Sequence, residues 1–261
     1  MGQRTDELAA RLRAAGCVFA EDEARILLDS APDAAGLEAL VARREAGEPL
    51  EILVGWVAFA GLRLAVAPGV FVPRQRSVRI ARAAAGIASA LEAPIVVEAC
   101  CGVAPIAAVV AARVPGARLI AVDLDPVAVA TARGTLPSDA LTIVGSSLAV
   151  LPADLLGRVD LIAAVPPYVP ESERRLMPHD TFDHEPSAAL LGGADGLDVA
   201  RDLIADAARW LAPGGRILLE LHRSQVPAAV AFARSVGFAP RRRARSADGQ
   251  TALFDAARPD R

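Results

Sequence analysis

The stretch "PIVVEACCGVAPIAAVVAARVPGARLIAVDLDPVAVATAR", residues 94–133, decides the fold. It runs a short β-prone segment, IVVEA, into a helical one, IAAVVAAR, and then ARLIAVD into PVAVATAR. The β runs are almost wholly apolar, as strands buried on both faces are. The pattern continues downstream. LTIVG (141–145), VDLIAAV (159–165) and GGRILLEL (214–221) read as further strands. LDVARDLIADAARWLA (197–212) and residues 226–236 read as helices, and β-prone segments near 239–245 and 250–255 close the chain. Strands alternating with helices predict an α/β fold, a mostly parallel seven-stranded sheet with helices on both faces.

Upstream the character changes twice. Residues 1–48 carry helical periodicity over 5–47 (Leu8, Leu12; Ala24, Leu27, Leu28; Leu37, Leu40, Val41), punctuated by Pro32 and Gly36. They predict a small N-terminal domain of three short helices. Residues 49–74 hold β-rich runs broken by Gly55, Gly61 and Pro68-Gly69, which predict a β-hairpin that Pro73 ends. A helix from about Ser77 to Leu91 then opens the main domain, 75–261.

A hydrophobic fraction of 53% supplies a core, although much of it is alanine. Net charge is −3, so no global field recruits nucleic acid or an anionic membrane. All 28 basic residues are arginine, which reads as coding bias. Three cysteines, two of them adjacent, make a poor disulfide framework. With no leader-like segment and no uncharged apolar run near 18 residues, the expectation is a soluble cytoplasmic protein without a membrane partner.

In an open α/β sheet, ligands bind beyond the carboxyl ends of the strands. The first strand ends in EACCGVAP, Glu98 to Pro105, a small-residue turn that lets backbone approach a ligand. The second ends at Asp123, which reads equally as the partner of a ribose diol or, with Asp125, as a cap for a helix beginning at Pro126. The fourth ends at Val165-Pro166-Pro167-Tyr168. Proline cannot donate to a ladder, so the strand stops and a stiff loop follows. Tyr168, the only tyrosine, offers a flat face to a planar group or fills the core. Adjacent thiols at Cys100 and Cys101 have the wrong spacing for tetrahedral zinc, so no metal site is expected. Trp56 and Trp210 read as core, and His184 as a loop-holding residue or a general base; His179 and His222 carry no signal.

Together these residues resemble the HemK-type class I methyltransferases, which use S-adenosylmethionine to methylate a glutamine side-chain amide. Residues 47–74 look like that family's hairpin. Residues 167–225, with HEP and then GGADGLD in order, look like its active-site loop and the helix and strand after it. The likeness covers roughly residues 35–240 and implies a Rossmann-like fold. By position, the loop bearing Glu98, Cys100, Gly102 and Ala104 would cradle the methionine part of the cofactor. Asp123 would bind the ribose, Leu124 would touch the adenine, and Ser146 and Ser147 stand where an acid near the adenine is expected. The Pro166 carbonyl would accept from the substrate amide and Tyr168 would pack on it, with Pro167, His184 and Glu185 shaping the loop. The family's N-terminal helices grip peptide-chain release factors; that region is short here.

Five departures accompany the resemblance. Val165 replaces an asparagine whose side chain accepts the amide's second N–H, Val103 follows Gly102 where a small polar residue is usual, Ala104 stands for a second glycine, Pro105 for a residue with a free N–H, and Ser146 or Ser147 for the acid. The acceptor expected is therefore a protein or small molecule other than the family's usual one. A repurposed, non-catalytic member with weakened cofactor binding is a second reading. A nucleic-acid amino-group methyltransferase is a third, with RRRARS (241–246) as its short basic patch or, more plainly, a solvated surface strand.

Overall fold

The computed structural model describes residues 2–176, 185–241 and 249–260. Three helices open the chain, α1 (Gly2–Ala14), α2 (Ala20–Ser30) and α3 (Ala34–Glu45). Leu12, Ala24, Leu27 and Val41 close a core of their own among them. Asp33 caps α3 by accepting from the Gly36 N–H at 2.7 Å.

The expectation of β structure from residue 50 needs correcting. Leu50–Val54 is a short helix, α4, which Gly55 ends in the left-handed region at φ 74°. A short apolar run cannot be told from a strand by periodicity. Here Pro49 sets the entry and glycine the exit. The hairpin is correspondingly narrower: β1 (Trp56–Phe59) pairs antiparallel with β2 (Leu62–Ala65), and Val57, Phe59 and Leu64 join the core of the sheet. Trp56 is also not core. It is partly buried and Arg63 stacks over its ring at 3.9 Å.

The main sheet follows α5 (Val78–Ala88). Its elements are β3 (Ile95–Ala99), α6 (Pro105–Arg113), β4 (Arg118–Asp123), α7 (Pro126–Thr135), β5 (Leu141–Val144), β6 (Val159–Ala164), α8 (Asp198–Trp210), β7 (Leu211–His222), α9 (Val226–Ser235), β8 (Ala239–Arg241) and β9 (Thr251–Ala257). The order is β5-β4-β3-β6-β7-β9-β8, parallel except where β9 runs antiparallel between β7 and β8. Two apolar cores cover the two faces, and β3 feeds both, Val96 into one and Val97 into the other. The α8 helix ends at Trp210 rather than Ala212, because Leu211 already pairs with Val159. The register then shifts through Pro213-Gly214-Gly215 before Arg216 meets Leu161. The chain leaves β3 toward β4 and β5 and returns on the other side as β6. Ligands bind at such a reversal of strand order.

Candidate active site

A cavity of about 470 Å³ opens at that reversal, lined from the carboxyl ends of β3, β4, β5 and β6. Its β3 wall is the loop from Glu98. Cys100, Gly102 and Ala104 all take left-handed backbone, at φ 49°, 53° and 58°. Glu98 is buried and its two oxygens accept from the Ile106 and Ala107 N–H groups at 3.1 and 2.6 Å. It thereby caps α6 from outside, and Pro105 fits at the first helical position, where no N–H is needed. Burial pushes the Glu98 carboxyl up to about 8, against the two backbone donors that favour its charge. Ala104 does not line the cavity. It is fully buried, its left-handed backbone preceding α6 and its methyl in the core.

At the end of β4 the two aspartates divide the work that the sequence left open. Asp125 caps α7, accepting from the Val127 N–H at 2.8 Å. Asp123 lines the cavity; its oxygens accept from Gly102 N–H at 2.8 Å and Asp125 N–H at 2.9 Å. Each oxygen keeps a further lone pair for a hydroxyl. Burial raises the pKa of its carboxyl, and the backbone donors oppose that. Leu124 beside it lines the cavity and is 58% exposed, an apolar surface for a flat base. Ser146 and Ser147 form the β5 wall, the Ser147 hydroxyl being taken up in capping a turn at Ala149. Cys100 lines the cavity too. Burial pushes its thiol up to about 12 and raises Cys101 further, so neither is a thiolate at neutral pH.

The β6 wall is Val165, Pro166, Pro167 and Tyr168. Val165 is partly buried against the core on one face of the sheet. The Tyr168 hydroxyl accepts from Arg76 Nη2 at 2.7 Å. Burial raises the Tyr168 phenol, and the Arg76 charge opposes the rise. The strap after the prolines is laced to residues 190–196. Val169 N–H donates to the Leu190 carbonyl at 3.0 Å and Gly192 N–H to the Val169 carbonyl at 2.9 Å. A Cβ on Gly192 would overlap the Pro167 carbonyl, and one on Gly196 the Tyr168 carbonyl. That close approach is why this loop reads GGADG. Buried Gln225 pins both segments, its Nε2 donating to the Tyr168 carbonyl at 2.8 Å and the Asp195 carbonyl at 3.0 Å.

Glu185 does not line the cavity. It is buried behind the wall, accepting from the Val72 N–H at 3.3 Å and Arg74 Nη2 at 2.6 Å. His179, His184 and the basic run 242–246 lie outside the described residues. The sequence reading missed Arg76, Ser77, Glu220 and Gln225. Ser77 Oγ donates to the fully buried Glu220 at 3.0 Å, and Arg76 Nε faces the same oxygen at 3.8 Å. An acid inside the apolar run RILLELH was the one available signal.

No family profile matches the chain. A release factor glutamine methyltransferase of Mycolicibacterium smegmatis is 36% identical over 224 residues, spanning 84% of this chain and 78% of that protein. A 4-amino-L-phenylalanine/4-methylamino-L-phenylalanine methyltransferase of Streptomyces pristinaespiralis is 37% identical over 202 residues, 76% of this chain and 69% of that one. In fold alone, the chain is like the solved ribosomal protein L11 methylase of Lactobacillus delbrueckii subsp. bulgaricus, with TM-score 0.53, 16% identity, and coverage of 74% of this chain and 84% of that one.

Proposed function

The chain belongs to the HemK-type family of S-adenosylmethionine-dependent methyltransferases, and within it we propose that this enzyme methylates an amine nitrogen rather than a glutamine amide. Val165 carries the reading. An amide nitrogen has a delocalised lone pair and two N–H groups, and turning it toward an electrophile takes an acceptor for each. Valine accepts nothing. A docked amide would keep one buried N–H unpaired, at about 1–3 kcal/mol, or about 10- to 100-fold in rate. The chain contains no asparagine anywhere, but it uses aspartate and serine freely. A strand end that needed an acceptor could have kept one. An amine needs only one, because its own lone pair is available once a single N–H is held.

The cofactor supplies an electrophilic methyl group on a positively charged sulfur. Glu98, Cys100 and Gly102 would border its amino-acid part, Asp123 its ribose, and Leu124 with Ser146 and Ser147 its adenine. The Pro166 carbonyl would hold one N–H of the acceptor, and the Tyr168 ring would pack on its planar part. Held there, the acceptor nitrogen would take the methyl group, the carbon–sulfur pair would go back to sulfur, and the extra proton on nitrogen would leave to water. We place residues 1–48 as a helical unit, 49–74 as the hairpin linker and 75–261 as the catalytic domain. The relative that acts on 4-amino-L-phenylalanine supports an arylamine acceptor, whereas relatives named for release factors support the amide. Radiolabelled methyl transfer separates the two. We expect label on 4-aminophenylalanine and little on a recombinant release factor. Faster labelling of the release-factor glutamine would overturn the proposal.

A further inference from the structure

Acids and arginines line the cavity from different elements. Among the described residues, the acidic side chains that line it are Glu98, Asp123, Asp125, Asp202 and Asp206, on β3, around the end of β4 and on α8. Glu98, Asp123 and Asp125 stand on the side proposed for the positively charged cofactor, and α8 packs against the turn after β5 while its first residue, Asp198, donates its N–H to the Gly192 carbonyl at 2.9 Å. The arginines that line it are Arg74 and Arg76, beside Tyr168 and the prolines. Their acidic partners stand behind them: Glu185 and Glu220 are 8% and 0% exposed and do not line this cavity. The arginine side chains, by contrast, are 38% and 34% exposed. Among the described residues, the acceptor wall therefore presents guanidinium edges and no carboxylate to a ligand. Arg76 binds the Tyr168 hydroxyl, so its charge lies one ring length from the start of that side chain.

We infer that the acceptor is an arylamine bearing a carboxylate at the far end of its ring, and that Arg76 reads that carboxylate. This rests on the amine reading above. With the nitrogen at the Pro166 carbonyl and the ring against Tyr168, the opposite ring position meets Arg76. An anionic acceptor complements this wall as a cationic cofactor complements the other. Arg76 is thus a specificity-determining residue, and an uncharged acceptor offers it nothing.

The test titrates protein saturated with S-adenosylhomocysteine against two probes, 4-aminophenylacetate and its uncharged amide. The carboxylate should bind about tenfold or more tightly, as a charge-assisted bond provides. The preference should vanish in Arg76→Met and survive in Arg76→Lys, with S-adenosylhomocysteine affinity unchanged in both as the sign of an intact fold. Equal affinity for the two probes on the wild-type protein, binding of neither, or a preference retained in Arg76→Met overturns the inference. Methyl transfer to the uncharged probe as fast as to the carboxylate removes the role of Arg76 and leaves the amine acceptor standing. Transfer to the release-factor glutamine and to neither probe removes the amine reading itself.

Discussion

Replacing Gln225 with leucine tests how the acceptor strap is held. The side chain is 8% exposed and makes three hydrogen bonds: two from Nε2, to the Tyr168 and Asp195 carbonyls at 2.8 and 3.0 Å, and one to Oε1, from the His222 N–H at 3.1 Å. Leucine keeps the bulk and loses all three. At about 0.5–1.5 kcal/mol each, with some of the orphaned groups finding water, the loss should be about 2–4 kcal/mol. For a chain of this size that is a fall in Tm of about 5–15 °C. Gln225 bonds to nothing in the loop from Glu98 or to Asp123, so S-adenosylhomocysteine affinity should stay within about threefold, a margin near 0.65 kcal/mol. Thermal melting followed by circular dichroism reads the first quantity and calorimetry the second. A Tm within about 2 °C of wild type, which is the scale of a neutral surface change, would refute the claim that Gln225 pins the two segments.

Other expectations concern the same walls. Gly196→Ala combines a backbone at φ 75° with a Cβ that overlaps the Tyr168 carbonyl. It should cost more than Gly61→Ala, where φ is 90° but nothing lies within 4 Å, so that only the left-handed strain of about 1–2 kcal/mol remains; comparing the two melting curves checks this. The Glu98 carboxyl, raised to about 8 in the folded protein against about 4.3 unfolded, favours folding fully below the unfolded value and loses that contribution as pH climbs through 8. Tm should therefore decline between pH 6 and about 8.5, and Glu98→Gln should lack that part of the decline. Val165→Asn should raise release-factor glutamine labelling about 10- to 100-fold by supplying the missing acceptor. An unchanged rate would show that Val165 does not set the acceptor.

What the sequence made legible was what depends on neighbours along the chain. Buried parallel strands announce themselves as apolar runs, and strand ends place Asp123, Val165 and Tyr168 at the ligand face of the sheet. The errors came where local signals tie. Residues 50–54 are apolar enough for a strand, and only Pro49 and Gly55 make them a helical turn. Leu211 continues the pattern of α8, yet pairing with Val159 draws it into β7. The polar scaffold of the site was invisible for another reason. Ser77 meets Glu220 across 143 residues, Arg76 meets Tyr168 across 92, and Gln225 meets Tyr168 across 57. Such pairs exist only once the sheet has assembled, and nothing in a single sequence marks a glutamine at the start of a helix as a pin. The left-handed backbone of Ala104 was equally hidden, because alanine does not advertise it as glycine would.

The most direct measurement is calorimetric titration of the purified protein with S-adenosylhomocysteine. One site of micromolar affinity, weakened at least tenfold in Asp123→Ala, is the expected result for a cofactor cavity at the ends of β3 and β4, since a lost charge-assisted bond is worth about that much. A folded protein that binds none of it, or binds it equally well without the Asp123 carboxylate, would contradict that placement.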